Sequence, residues 1–289
     1  MTAKIGVIGG TGLYDMPGIE VVREHELDTP FGRPSDTIVE AAFKGKTLFF
    51  LPRHGRGHRI SPSEVNYRAN IFALKTLGVE RIISISAVGS MREEIAPGHV
   101  VIVDQFLDRT LGRPRTFFGD GIVGHVGFAD PICSDLAGAL HDAAVEVGAT
   151  VHRGGTYICI EGPQFSTRAE SNTFRAWGVS VIGMTNLPEA RLAREAEICY
   201  ATVALATDYD CWHEEEDDVS VESVIAVLKK NVRTAQKIIA AAVERIDGER
   251  SCACKDALAW AIITDRARIP EETRKKLWPL IGRHLKEEE

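Results

Sequence analysis

Short apolar runs alternate with helix-periodic stretches along nearly the whole chain, and that alternation constrains the fold more than any other feature. Runs at 4–8, 47–51, 81–86, 100–103, 156–160, 179–182 and 200–207 read as buried strands. Between them, 66–77, 134–147, 168–177 and 188–197 carry helical patterns. The order predicts an α/β fold with a central mixed β-sheet flanked by helices. No Ser/Gly-rich linker and no repeat divides the chain, so a single domain over 1–289 is expected. The longest helix signal covers 220–245, with Val221, Val224, Ile225 and Leu228 on one face and Ser220 as N-cap. The acidic run 214–218 before it reads as a solvated loop that also suits a helix N-terminus. A polar tail follows Asp247 and turns helical over 271–285, and its pattern leaves open whether it docks on the core.

With 289 residues, 44% of them hydrophobic, the chain can bury a large core. Its formal charge of −7 argues against a nucleic-acid binder, which would present a basic face. No run approaches the ~20 apolar residues that span a bilayer. The first residues enter a strand-like run without the shape of a signal peptide, so a cytoplasmic location is expected. Six cysteines are scattered, and Cys252-Ala253-Cys254 is too close for a zinc knuckle without a second pair elsewhere. They read as buried or incidental thiols.

Several strand ends carry chemistry. Gly6-Val7-Ile8-Gly9-Gly10-Thr11-Gly12 follows the first strand as a phosphate-cradling loop would, with the Thr11 hydroxyl as an added donor. A dinucleotide site is disfavoured. Turn residues 14–18 stand where a helix should open, and no strand ending in an acid follows at about 20 residues. Arg53-His54-Gly55-Arg56-Gly57-His58 suits either anion recognition or a solvated basic turn. Ser84 to Ser90 offers hydroxyl and amide donors at another strand end, so these segments can converge on one oxyanion site. Glu161 to Phe165 brings an aromatic ring into a tight turn, and Gly183-Met184-Thr185-Asn186 precedes a helix opening at Pro188. Asp208 and Asp210 close the last strand and point the same way if its geometry persists. Metal binding, acid/base work and helix capping all remain open for this pair.

Seven segments in register resemble the S-methyl-5'-thioadenosine phosphorylases, a group within the trimer-forming branch of the purine nucleoside phosphorylases. They are Gly9-Gly10-Thr11-Gly12, Arg53-His54-Gly55, Val65-Asn66-Tyr67-Arg68-Ala69-Asn70, Glu161-Gly162-Pro163, Arg168-Ala169-Glu170, Met184-Thr185 and Ala206 to Trp212. The resemblance covers about residues 4–245, leaving 248–289 as a C-terminal tail.

The resemblance implies phosphorolysis of S-methyl-5'-thioadenosine, a step of purine and methionine salvage, with inorganic phosphate as co-substrate and neither metal nor other cofactor. It places phosphate against Thr11, Arg53, His54, Ser86, Ala87 and Thr185. It sets Met184 against the ribose, Phe165 near the purine, Asp208 as general acid at N7 and Asp210 at the 6-amino group. Val221, Val224 and Ile225 would form a slot for the methylthio group, and His125 would reach it from a neighbouring subunit of a trimer or a dimer of trimers. On periodicity alone, the same Val/Ile stripe reads as core packing. Ser86 replaces a Thr of the animal enzymes but keeps the hydroxyl. Gly183 replaces an Asn, as in some relatives acting on methylthioinosine, so a methylthioinosine or 6-oxopurine nucleoside phosphorylase is the alternative. Cys133, Cys199 and the Cys-Ala-Cys tail resemble disulfide-bearing relatives from hyperthermophiles.

Overall fold

The computed structural model describes residues 3–10, 12–13, 15–213, 221–246 and 248–285; side chains at 221–226, 228 and 229 lie outside the description. Thr11, Ser220 and the acidic run 214–218, all singled out above, also lie outside it.

The described strands join in one mixed sheet. In chain order they are β1 (Lys4–Gly9), β2 (Glu20–His25), β3 (Ile38–Phe43), β4 (Lys46–Pro52), β5 (Arg81–Ser90) and β6 (Val100–Ile102). Then come β7 (Gln105–Arg109), β8 (Val151–Arg153), β9 (Thr156–Ile160), β10 (Val181–Gly183) and β11 (Cys199–Asp208). The helices are α1 (Tyr67–Thr76), α2 (Ser134–Glu146), α3 (Arg168–Ala176), α4 (Asn186–Glu195), α5 (Val221–Arg245) and α6 (Glu271–Leu285). This is the α/β architecture that the alternation predicts.

β5 is the axis of the sheet. β1 pairs parallel with its first half, β10 antiparallel with its last two residues, and β11 runs parallel along it from Arg81 to Gly89. From this junction one limb runs β1-β4-β3-β2, a second β10-β9-β7, and a third β11-β6-β8. The junction strands are buried almost throughout, β11 at every residue except Asp208. Burial on both faces is why these strands read as unbroken apolar runs.

β2, β3, β7 and β8 are absent from the sequence reading. β2 is a polar, exposed edge strand and β7 alternates between exposed and half-buried residues. Charge on such edges discourages pairing with other chains, and it also hides the strand from an apolar-run search. β5 runs four residues beyond the expected 81–86, so Ser86 and Ala87 lie within it rather than at its end.

Local chemistry sets the helix starts. The Asn66 side chain accepts the Ala69 N–H at 3.1 Å to cap α1. Thr167 and Glu170 close a reciprocal capping box on α3, at 3.2 and 2.8 Å. α2 and α5 pack on each other and on β11.

The C-terminal tail docks. Leu277, Leu280 and Ile281 of α6 are buried in the same core as β1 and β5. The buried Glu197 carboxylate holds the tail, accepting Leu258 N–H at 3.0 Å, Arg283 Nη2 at 2.8 Å and His284 Nε2 at 3.0 Å. Among the described residues, no helix is long and apolar enough to cross a membrane.

Candidate active site

A cavity of about 680 Å³ opens where the carboxyl ends of β1, β4, β5 and β11 meet the β9 and β10 loops. Its lining draws on chain segments from Gly10 to Val232. Arg53, His54, Ser86, Ala87, Met184, Thr185, Phe165, Asp208 and Asp210 all line it. His125 does not; it is exposed on the same chain, with its N–H donating to Ala261 O at 2.8 Å. Of the Val221, Val224 and Ile225 stripe, only the helical backbone is described.

Arg53 follows β4, and its N–H donates to Gly9 O at 2.9 Å, which ties the basic turn to the glycine loop. Its guanidinium is buried and grips Glu189 of α4 with two hydrogen bonds, Nε to Oε2 at 2.8 Å and Nη2 to Oε1 at 2.9 Å. Nη1 donates to Ile85 O at 3.0 Å and Nη2 to Ser84 Oγ at 2.7 Å. Four of its five N–H groups are therefore committed. Burial opposes the guanidinium's charge, yet Glu189 beside it more than offsets that and Arg53 stays protonated. Tyr200 and Ser84 also donate to Glu189 Oε1, at 2.8 and 3.0 Å. Arg53, an anion ligand by resemblance, is paired with Glu189 and keeps one N–H to spare.

His54 stacks on His58 at 4.3 Å between ring centroids. A carbonyl can only accept, so His54 Nδ1 donates to Ile60 O at 2.8 Å and leaves Nε2 as an acceptor while the ring is neutral. Burial, and then the Arg53 cation, push its pKa down to about 4.

Ser86 Oγ lies 3.1 Å from Tyr157 Oη and 3.4 Å from Thr185 Oγ1, which places three hydroxyls side by side. Tyr157 also explains Gly183. A Cβ on Gly183 would collide with the Tyr157 hydroxyl and come 2.6 Å from its Cζ. The phenol thus fills the space that an Asn side chain would need.

Asp208 and Asp210 share the cavity, but not through strand alternation. The β5–β11 register shifts between Ala206 and Asp208, and Asp210 takes a left-handed φ of 55° in the turn beyond β11. That turn lets Asp210 N–H donate to Asp208 Oδ1 at 2.8 Å. Thr207 Oγ1 donates to Asp208 Oδ2 at 2.6 Å, and Ser166 Oγ to Asp210 Oδ2 at 2.7 Å. Asp210 Oδ1 has no such donor among the described residues. Gly89 makes room for the pair, since a Cβ there would lie 2.9 Å from Asp208 Oδ1. Burial, reinforced by the Asp210 charge, raises the Asp208 carboxyl above its usual range. That is the condition a general acid needs near neutral pH.

Glu189, Tyr157 and Val232 carry no site signal in the motifs of the sequence. The first two sit inside apolar-patterned elements and read as core. Val232 was findable, because it continues the helical period of Val221, Val224, Ile225 and Leu228 by one more turn and lines the cavity.

The sheet-end cavity gathers clustered hydroxyls, a neutral imidazole and a carboxyl whose proton affinity burial raises, and the chain belongs to the Phosphorylase superfamily, whose family model matches residues 4–244. Within it, the curated relatives are S-methyl-5'-thioadenosine phosphorylases. The Geobacter sulfurreducens enzyme is 64% identical, covering 99% of this chain and 100% of its own. That of Koribacter versatilis is 54% identical, covering 100% and 99%. Solved structures agree. A methylthioadenosine phosphorylase from an antarctic soil metagenomic library superposes with a TM-score of 0.92 at 49% identity, covering 96% of this chain and 99% of that one. The Schistosoma mansoni enzyme in complex with adenine gives 0.83 at 39% identity, covering 89% and 96%.

Proposed function

We propose that this chain cleaves S-methyl-5'-thioadenosine with inorganic phosphate, giving adenine and 5-methylthioribose 1-phosphate. The observation that carries this reading is one cavity with hydroxyl donors beside Ser86 and two carboxylates beside Gly89. Those positions are three residue steps apart on β5, about 10 Å along the strand, a span that fits a phosphate and a nucleoside end to end.

Phosphate sits against Thr11, Arg53, His54, Ser86, Ala87 and Thr185. Because Glu189 neutralises Arg53, neutral donors carry much of the anion's binding. His54 takes up a proton as the anion arrives and then donates through Nε2. A phosphate oxygen attacks the anomeric carbon as the bond to the purine breaks, and the bonding pair leaves with the base. Asp208 gives its proton to N7. Asp210 Oδ1 accepts from a 6-amino group and repels a 6-oxo group. Met184 meets the ribose, Phe165 the purine, and Val221, Val224 and Ile225 the methylthio end, joined by Val232. His125 completes that end from a neighbouring copy in a trimer or dimer of trimers, in keeping with its position outside its own chain's cavity. The chemistry asks for no cofactor.

Product analysis with and without phosphate tests the reading. Adenine and a phosphorylated sugar should form only when phosphate is present. Adenine release in its absence, or faster cleavage of inosine or methylthioinosine, overturns it. Asp210→Asn should shift the preference toward the 6-oxo substrates.

A further inference from the structure

The Cys-Ala-Cys segment lacked a second pair in the sequence, and the fold supplies one. Cys133 stands just before α2, Cys199 opens β11, and Cys252 and Cys254 come from the tail between α5 and α6. The Sγ atoms of all four lie within 4.8 Å of one another, with Cys199 and Cys252 at 3.3 Å. Cys133, Cys199 and Cys254 are buried and Cys252 half-buried. None of the four lines the active-site cavity.

An ion held by four thiolates at about 2.3 Å in a tetrahedron sets the sulfurs about 3.8 Å apart, a spacing between the 3.3 Å and the 4.8 Å limits of this cluster. All four sulfurs share one small volume, with Cys199 and Cys252 in contact and Cys133 and Cys254 within the same 4.8 Å of both. Charge around the cluster points the same way. Arg81, Arg245 and Arg250 line a small cavity together with Cys133, Cys199 and Cys252, and Asp135 and Glu249 lie on its wall. Arg81 is 6% exposed, and its buried Nη1, 3.7 Å from Glu80 Oε2, has no hydrogen-bond partner among the described residues. Four thiolates around a divalent ion carry two net negative charges, which these guanidinium groups offset in part, since Arg81 and Arg250 also face Glu80 and Arg245 pairs with Glu146.

We propose that Cys133, Cys199, Cys252 and Cys254 bind one thiophilic divalent cation of the zinc class at a closed structural site. The ion fastens residues 252–254, and through them the docked tail, to α2 and β11. With every ligand position filled by the protein, the site has no opening for a substrate.

The test uses the full chain purified under reducing conditions. Elemental analysis and native mass should find about one zinc per chain. Cobalt(II) loaded after removal of zinc should show thiolate charge transfer and the visible bands of a tetrahedral site. The double change Cys252→Ser with Cys254→Ser should abolish both signals, and Cys211→Ser, outside the cluster, should keep them. If the double variant does not fold, the cobalt spectrum of the parent decides. A metal-free chain that gives no tetrahedral thiolate spectrum overturns the proposal. So does a mass lighter by the hydrogens of two disulfides.

Discussion

Burial raises the Asp208 carboxyl above its ordinary range, and an acid whose pKa rises on folding weakens the native state wherever it must ionise. The folded chain then holds a proton that the unfolded chain has released. Stability therefore falls as pH climbs from the unfolded carboxylate's pKa to the folded one, and the penalty persists above that. Asn fits the same place, with Oδ1 accepting Asp210 N–H and Nδ2 donating to Thr207 Oγ1. Asp208→Asn should melt higher than the parent at pH 8 and alike below the ordinary carboxylate range, while losing about 10²–10⁴-fold in turnover. Equal melting at pH 8 would contradict the buried charge. Glu189 behaves in the opposite way, since its loss strands Arg53 in the interior. Glu189→Ala should cost about 3–5 kcal/mol in urea unfolding, and a loss near zero would show that Arg53 finds other partners. Arg53 and His54, adjacent in sequence, stood out as a basic turn suited to an anion or to solvent, and both line the cavity. Glu189 did not, because only the fold brings α4 behind β4.

At the scale of elements, legibility followed burial. β1, β4, β5 and β11 are enclosed on both faces and announce themselves as apolar runs. β2 and β7 do not, because Glu20-Val21-Val22-Arg23 and Gln105-Phe106-Leu107-Asp108 carry the charge that suits an edge. The β9–β10 pair offers a sharper test. Tyr157 lies in β9 opposite Val181, and its ring reaches the backbone of Gly183 two residues along β10. Gly183→Ala should destabilise by about 1–3 kcal/mol through overpacking. Tyr157→Phe, which removes the nearest atom, should recover part of that loss in a double-mutant cycle. Purely additive effects would mean that Tyr157 does not occupy the space.

Across the whole molecule, the tail beyond α5 belongs to the core. A chain ending at 246 would uncover the surface that Leu277, Leu280 and Ile281 cover. It would also leave the Glu197 carboxylate without Leu258, Arg283 and His284. We expect loss of soluble expression and a lowered thermal transition, and a truncated chain as soluble and stable as the parent would refute the docking. This part was illegible in sequence because a polar tail with one amphipathic helix reads alike whether docked or free. The position of β11 reaches further. More than 100 residues separate it from β5, yet it lies along nearly the whole of that strand. During synthesis, then, β5 leaves the ribosome well before its companion exists, and while more than 100 further residues are added the nascent polypeptide carries an open hydrogen-bonding margin. Until residue 208 emerges there is neither a finished sheet nor a complete catalytic cavity, so this chain should rely on chaperones early and gain activity late.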